Sequence, residues 1–335
     1  MSIRLKIVLM IGAVAVFALL LGTLVFYPSI MGGFSKLEED QMRQNVERNE
    51  SALQFYSVQQ GTSCGDWAYW DDAYAFVQNG NQAFINANLA GSASFNSLNI
   101  NLIIFVNRQG GTPYAREYTR ATDRVEPVSP ATMEALRAGG VIPAEPSMES
   151  KKTGLIQLPQ GLTTIASRSI LKTDLSGPPE GTLVMGRYFD QTDVKALAAM
   201  TMTQLNIFPL QAGKMPGDVS AADKKVLTKE ALVTKALSKK TFTGYGMLKN
   251  VSGKPVAIMK VTANRDISNQ GVKSLFYFFL TFGIIGGGAF LLIELILERG
   301  VLSRIAGLGS QIGHISEGGG NAPVKSERVW VSGHD

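Results

Sequence analysis

The apolar positions of this chain follow three periodicities, and each predicts a different kind of element. In two runs, Ile7 to Tyr27 and Leu275 to Ile293, nearly every residue is apolar or small and none is charged. A helix rises about 1.5 Å per residue and needs about twenty residues to cross roughly 30 Å of hydrocarbon. Both runs therefore predict membrane-spanning helices, over 7–27 and 275–296. Beyond the second run, Val301, Ile305, Leu308, Ile312 and Ile315 recur at alternating intervals of four and three. A lone amphipathic helix has nowhere to bury such a heptad seam, so it predicts a parallel bundle of two chains. A juxtamembrane surface helix is the alternative, but its polar face would be richer in Lys and Arg than Ser303, Gln311 and His314 make it.

Between the spans, 34–273 reads as a folded domain of roughly 240 residues, enough for one large or two small cores. Pro28 and the Gly32-Gly33 pair predict a break or kink after the first span. From Phe34 to Ser63 a loose stripe of Phe34, Leu37, Met42, Val46, Leu53 and Tyr56 predicts a helix about 40 Å long. That stripe serves equally as a packing face on its own domain and as a dimer contact. Asn101 to Val106, Thr163 to Ile170, Gly181 to Arg187 and Val256 to Thr262 are short apolar runs bounded by turn residues, which predicts strands. The second and third should form a hairpin across Gly177-Pro178-Pro179-Glu180-Gly181. Antiparallel strands with flanking helices place the domain in the α+β class. Pro127 to Glu149 and Ala212 to Lys225, rich in Pro, Gly, Ala and charge, read as surface excursions, and Thr228 to Lys240 as a solvated connector.

Candidate chemistry concentrates in Trp67-Ala68-Tyr69-Trp70-Asp71-Asp72-Ala73-Tyr74-Ala75-Phe76-Val77. As one helix this segment would set Trp67, Trp70, Asp71 and Tyr74 at i, i+3, i+4 and i+7, on a single face. Such a face can wall a pocket in which Asp71 or Asp72 orients a polar or cationic ligand. It can also be core, with an aspartate capping a neighbouring element, and aromatic stripes at helical spacing are more often core. Arg168 and Arg187 could each fork onto a ligand carboxylate, and Asp174 could bind an amine, although structural ion pairing is the commoner role. Gly177, Gly181 and Gly186 fit turns and close packing better than a phosphate cradle, because no strand-to-helix glycine fingerprint surrounds them.

The order of several stretches resembles a known family. These are the Trp67–Val77 segment, Phe84-Ile85-Asn86-Ala87-Asn88-Leu89, the run from Ile100 to Gly110, Ser169 to Asp190, and the polar-then-apolar Leu248 to Arg265. Together they resemble the fourth class of CHASE domains, extracytoplasmic sensory modules of cyclases and histidine kinases. The resemblance covers most of residues 50 to 270 and implies a PAS-like sheet related to the Cache sensors. Past the second span, Gly318-Gly319-Gly320 and Arg328 to Asp335 resemble the first helix and connector of a HAMP signal relay, which makes 297–335 a partial HAMP domain. The Asp-Glu pair that opens the second HAMP helix is not present, so the chain reads as the input half of a longer receptor.

Charge and composition narrow the remaining choices. The formal net charge of +5 comes from scattered residues with no basic stripe interleaved with aromatics, which argues against nucleic acid as a partner. Cys64 is the only cysteine, so an intramolecular disulfide and an all-cysteine metal site are excluded. A small half-buried side chain is its plain role; an intermolecular bridge or a redox sensor are the others. No phospho-acceptor histidine box, ATP-binding glycine set or GGDEF-type signature is present, and two histidines with one cysteine supply no nucleophile with its base. A non-enzymatic chain with no cofactor and no metal is expected. Arg4 and Lys6 before the first span, and Arg299 and Arg304 after the second, favour both termini in the cytoplasm. Lys273 weakens that bias, and a cleaved signal peptide is the alternative reading of the first run, though it lacks an A-x-A site. The expectation is a homodimeric, multi-pass receptor of the inner (plasma) membrane that binds a small molecule outside. A sensor of a periplasmic protein partner or envelope state, and a membrane-anchored structural protein, are the alternatives.

Overall fold

The computed structural model describes residues 3–210, 215–228, 232–297 and 299. The heptad seam from Val301 and the HAMP-like stretch lie outside the described residues. The chain divides into two compact units, Met1–Phe34 with Ser268–Asp335, and Ser35–Ile267.

The first unit is built from the N-terminal part of helix α1 (Ile3–Ala68) and most of the last helix (Asp266–Leu297). Both helices are long and apolar enough to cross a membrane. The expected break is absent: Pro28 lies inside α1. A mid-helix proline costs about 3 kcal/mol through one lost hydrogen bond and a clash. Unwinding in an apolar medium would strand more backbone groups than the proline does, so continuing the helix is the cheaper solution.

The second unit holds two antiparallel sheets. Strands β1 (Leu102–Asn107), β2 (Tyr114–Thr119), β3 (Arg124–Pro127), β4 (Lys151–Leu158), β5 (Gly161–Ile170) and β6 (Gly181–Tyr188) form one, in the order β3-β2-β1-β6-β5-β4. Strands β7 (Gln204–Pro209), β8 (Leu232–Ala236), β9 (Thr241–Lys249) and β10 (Pro255–Asn264) form the other, in the order β7-β10-β9-β8. The expected hairpin is present, with β5 and β6 paired from Thr163 opposite Tyr188 to Ile170 opposite Gly181. Gly181 is required there because a Cβ would collide with the Val106 carbonyl on β1.

The six-stranded sheet is covered on both sides, which is why β1 is apolar without alternation. Ile103 and Phe105 enter an aromatic core with Phe76, Phe84, Phe95 and Tyr118, beneath α2 (Asp71–Asn79), α3 (Gln82–Asn88) and α4 (Ala93–Leu98). Leu102, Ile104 and Val106 enter an aliphatic core with Leu136, Val141 and Ile142. Those last three lie in the supposed excursion Pro127 to Glu149, which is instead a core layer carried by α5 (Pro130–Ala138). Ser129 caps α5 by accepting the Thr132 N–H at 3.2 Å, with Pro130 at its start. The second supposed excursion is corrected likewise: in α7 (Gly217–Thr228), Val219 and Ala222 pack on Tyr245 and Ile258. The expected connector contributes the edge strand β8.

Along α1, Met42, Val46 and Leu53 pack against Met259 and Val261 of β10 and against Val194 and Leu197 of α6 (Gln191–Thr201). Leu37, Phe55 and Val58, on other faces of the same helix, remain exposed. The two sheets are tied by a bridge between Leu155 and Asn250 and by the Val251 N–H donating to the Leu155 carbonyl at 2.8 Å.

Candidate functional site

The aromatic motif is not one helical face. Helix α1 ends at Ala68 and α2 begins at Asp71, with Trp70 extended between them at φ −129° and ψ 128°. The break is held by two reciprocal hydrogen bonds: the Asp71 N–H donates to Thr173 Oγ1 at 3.2 Å, and the Thr173 N–H donates to Asp71 Oδ1 at 3.0 Å. Asp71 and Asp72 also occupy the first turn of α2, where negative charge favours the helix dipole. Trp67 and Trp70 meet edge to face at 6.2 Å, and Trp70 leans on Phe84 at 5.5 Å, so both indoles lie half-buried against the aromatic core. The Tyr74 hydroxyl donates to the Pro178 carbonyl at 3.1 Å, beneath the Lys172 ammonium. These residues lock the loop after β5 onto the core.

Arg168 is likewise engaged with its own sheet. Its Nη1 donates to the carbonyls of Ser167 at 2.8 Å and Lys152 at 3.3 Å, and to Thr153 Oγ1 at 3.1 Å. Asp174 is exposed and accepts the Ser176 N–H at 2.9 Å. Cys64 is fully buried; burial pushes its thiol up to about 12, and the Sγ–H lies 3.5 Å from the Leu183 carbonyl. That environment leaves the thiol inert rather than half-exposed or redox-active.

Arg187 differs, because it lines a cavity of about 140 Å³. Tyr56, Gln59, Gln60 and Ser63 of α1, Asn99 before β1, Thr164 of β5 and Asp193 of α6 complete its polar lining. Each is positioned by local structure. Asn99 adopts the left-handed conformation that ends α4, at φ 55°, and its carbonyl accepts from Arg187 Nη1 at 3.4 Å. Asp193 is fixed by a capping box: Asp190 accepts the Asp193 N–H at 3.1 Å and Asp193 accepts the Asp190 N–H at 3.3 Å. Its other oxygen pairs with Arg187 Nη2. Gln60 donates its Nε2 to the Met185 carbonyl at 3.0 Å, which orients the amide and leaves Oε1 buried with no partner among the described residues. An unsatisfied buried acceptor costs about 1–3 kcal/mol. The volume equals roughly four to five waters at about 30 Å³ each, a space for a small polar molecule.

Gln60, Asn99 and Asp193 were not expected from the sequence. Only Asp190-x-x-Asp193 after a strand carried a readable signal, that of a capping box. Among the described residues no group of three or more His, Cys, Asp or Glu side chains converges as a metal site would require.

Residues 52–207 match the CHASE4 domain family, the stretch that holds the aromatic motif and the β5–β6 hairpin. Across 91% of its length the chain is 27% identical, over 310 residues, to the methanogenesis regulatory histidine kinase FilI of Methanothrix harundinacea (strain 6Ac). The match occupies 33% of FilI, so the chain spans about a third of the length of that curated relative. Similar solved structures include the extracellular domain of a protein described as histidine kinase vpHK1S-Z8, at 12% identity, 70% of this chain, 95% of that chain and a TM-score of 0.46. Another is the ligand-binding domain of the Campylobacter jejuni chemoreceptor Tlp3 in complex with L-valine, at 14% identity, 72% of this chain, 98% of that chain and a TM-score of 0.44. The expected resemblance and the α+β class are both borne out.

Proposed function

We propose that 34–273 is the extracytoplasmic input of a membrane-anchored signal-transduction receptor, and that it senses a small polar molecule in the cleft around Arg187. The observation that carries this reading is the convergence there of the Arg187 guanidinium and the Asp193 carboxylate in a cavity also lined by Gln60 and Asn99. A ligand with both an acidic group and a hydrogen-bond donor would meet complementary partners at Arg187 and at Asp193 or Gln60. The CHASE4 match supports the sensing role, and the two long apolar helices support the membrane anchor with the domain outside the inner membrane.

In this proposal the chain itself is not catalytic, and its output is a histidine kinase, as in FilI, carried outside residues 1–335. The receptor works as a homodimer, a reading supported by the exposed Leu37, Phe55 and Val58 on α1. A ligand shifts such a two-state receptor only by its differential affinity for the states, typically about 1–3 kcal/mol.

The test is calorimetric titration of the full chain in lipid nanodiscs with amino acids, small carboxylates and amines. A binder should lose at least tenfold in affinity in Arg187→Ala and in Gln60→Leu, and little in Trp70→Phe. Binding that survives both cleft variants and disappears in Asp71→Ala would move the site to the aromatic motif.

A further inference from the structure

On a neighbouring face of α1, where the two sheets meet, lies a second and larger concavity of about 430 Å³. Its walls are mainly hydrocarbon: Leu53 and Val58 from α1, Leu155 from β4, and Met247 and Leu248 from β9. Gln54 and Ser57 of α1, Thr153 of β4 and Lys249 of β9 add polar groups to the lining, and Glu50 is its one carboxylate. That carboxylate lies over Gly246 of β9, where a Cβ would come within 2.7 Å of Oε1, so the bare glycine backbone makes room for it. Among the described residues no hydrogen bond or ion pair reaches this half-buried carboxylate, and burial together with neighbouring Glu47 pushes its pKa above the usual range. Lys249 lines the rim but is exposed and makes no ion pair with Glu50.

A carboxylate kept partly out of water without a partner is unfavourable, and a cation delivered into the groove relieves it. One carboxylate cannot hold calcium, which takes six to eight oxygen ligands. The hydrocarbon walls select instead a cation with an apolar body. We propose that this groove is a second binding site, for a short protonated alkylamine whose ammonium pairs with Glu50 and whose chain lies along Leu53, Leu155 and Leu248. The site is separate from the Arg187 cleft and does not depend on it. Its walls belong to α1 and to both sheets, next to the Leu155–Asn250 bridge, so an occupant touches each of the parts that would have to shift for a signal to pass.

The test is calorimetric titration of the full chain in lipid nanodiscs with ethylamine, propylamine and butylamine, with 1-butanol as the uncharged control. The expected result is saturable amine binding that tightens with chain length, up to roughly fourfold per added methylene. Glu50→Gln should weaken butylamine by tenfold or more, Val58→Trp should obstruct the groove without touching the charge, and Arg187→Ala should leave butylamine binding unchanged. The proposal is overturned if butylamine does not bind the wild type, if it binds Glu50→Gln equally well, or if 1-butanol binds as tightly.

Discussion

Two partly buried carboxylates are treated in opposite ways by the fold. Burial raises the pKa of Asp218, but the Lys260 ammonium at 2.6 Å and the Tyr245 hydroxyl at 2.8 Å more than reverse this, leaving it below the usual carboxylate range. Glu50 has no such donors, and burial and Glu47 hold it above that range. The linkage signs follow. Asp218 contributes stability above its unfolded pKa, and that contribution is lost as pH falls through its folded pKa. Glu50 is most compatible with folding when protonated, and becomes unfavourable as pH rises through its folded pKa. Glu50→Gln should therefore raise Tm at pH 7, with the advantage shrinking toward acid pH, whereas Asp218→Asn should lower Tm at pH 7, with the deficit shrinking as pH falls. Melting curves by circular dichroism across pH 3 to 8 check both signs, and a Glu50→Gln protein less stable than wild type at pH 7 would contradict the assignment. At this scale the sequence was only partly legible. Arg187 could be singled out as a charged residue at a strand end, but Asn99, whose carbonyl it meets, and Gln60, which lines the same cavity, lie far away in the chain and come near it only through the path of α1 and the left-handed turn at Asn99.

Among the elements, strands β6 and β10 were readable because burial on both faces makes them largely apolar runs, whereas β5 is as buried but half polar, with Thr163, Thr164, Ser167, Arg168 and Ser169. Helices α5 and α7 were hidden by their composition: short segments in which Ala, Thr, Ser and charged residues outnumber large apolar ones resemble loops, and α5 buries only Thr132 and Leu136. Leu136→Ala separates the two descriptions. A surface excursion would tolerate it, whereas a core layer should lose about 2–5 kcal/mol in urea unfolding. The stripe along α1 was legible as a stripe but not in its allocation, since the same spacing suits an internal face and an external one. The structure assigns Met42, Val46 and Leu53 to the internal face. Leu37 and Phe55 are about five helical turns apart and so share one external face, with Val58 beside Phe55. If that face joins two copies, Phe55→Cys in a Cys64→Ala background should crosslink on mild oxidation of membranes. Val46→Cys, pointing into the core, should not. Equal crosslinking of the two would assign it to random collision.

For the whole molecule, the sensing role depends on which side of the membrane the sheet unit occupies. If both apolar helices cross the membrane, the chain returns to its starting side, so a single accessible point in the sheet unit and one near the N-terminus together define the topology. Arg4 and Lys6 precede the first span and Arg299 and Arg304 follow the second, which favours both ends in the cytoplasm. Basic residues within the sheet unit weigh little against this, because long segments translocate largely regardless of their charge. Cys64 is fully buried, and a Cys64→Ala background removes the remaining thiol, so introduced cysteines report alone. Met202 is 92% exposed and caps α6 in the left-handed conformation, which makes it an accessible reporter. Met202→Cys should react with a membrane-impermeant maleimide in intact cells or spheroplasts, whereas Ser2→Cys should react only after permeabilisation. Labelling of Ser2→Cys in intact cells, with Met202→Cys protected, would put the Arg187 cleft and the Glu50 groove in the cytoplasm. An extracytoplasmic receptor would then be ruled out, because neither site could meet a ligand that had not already crossed the membrane.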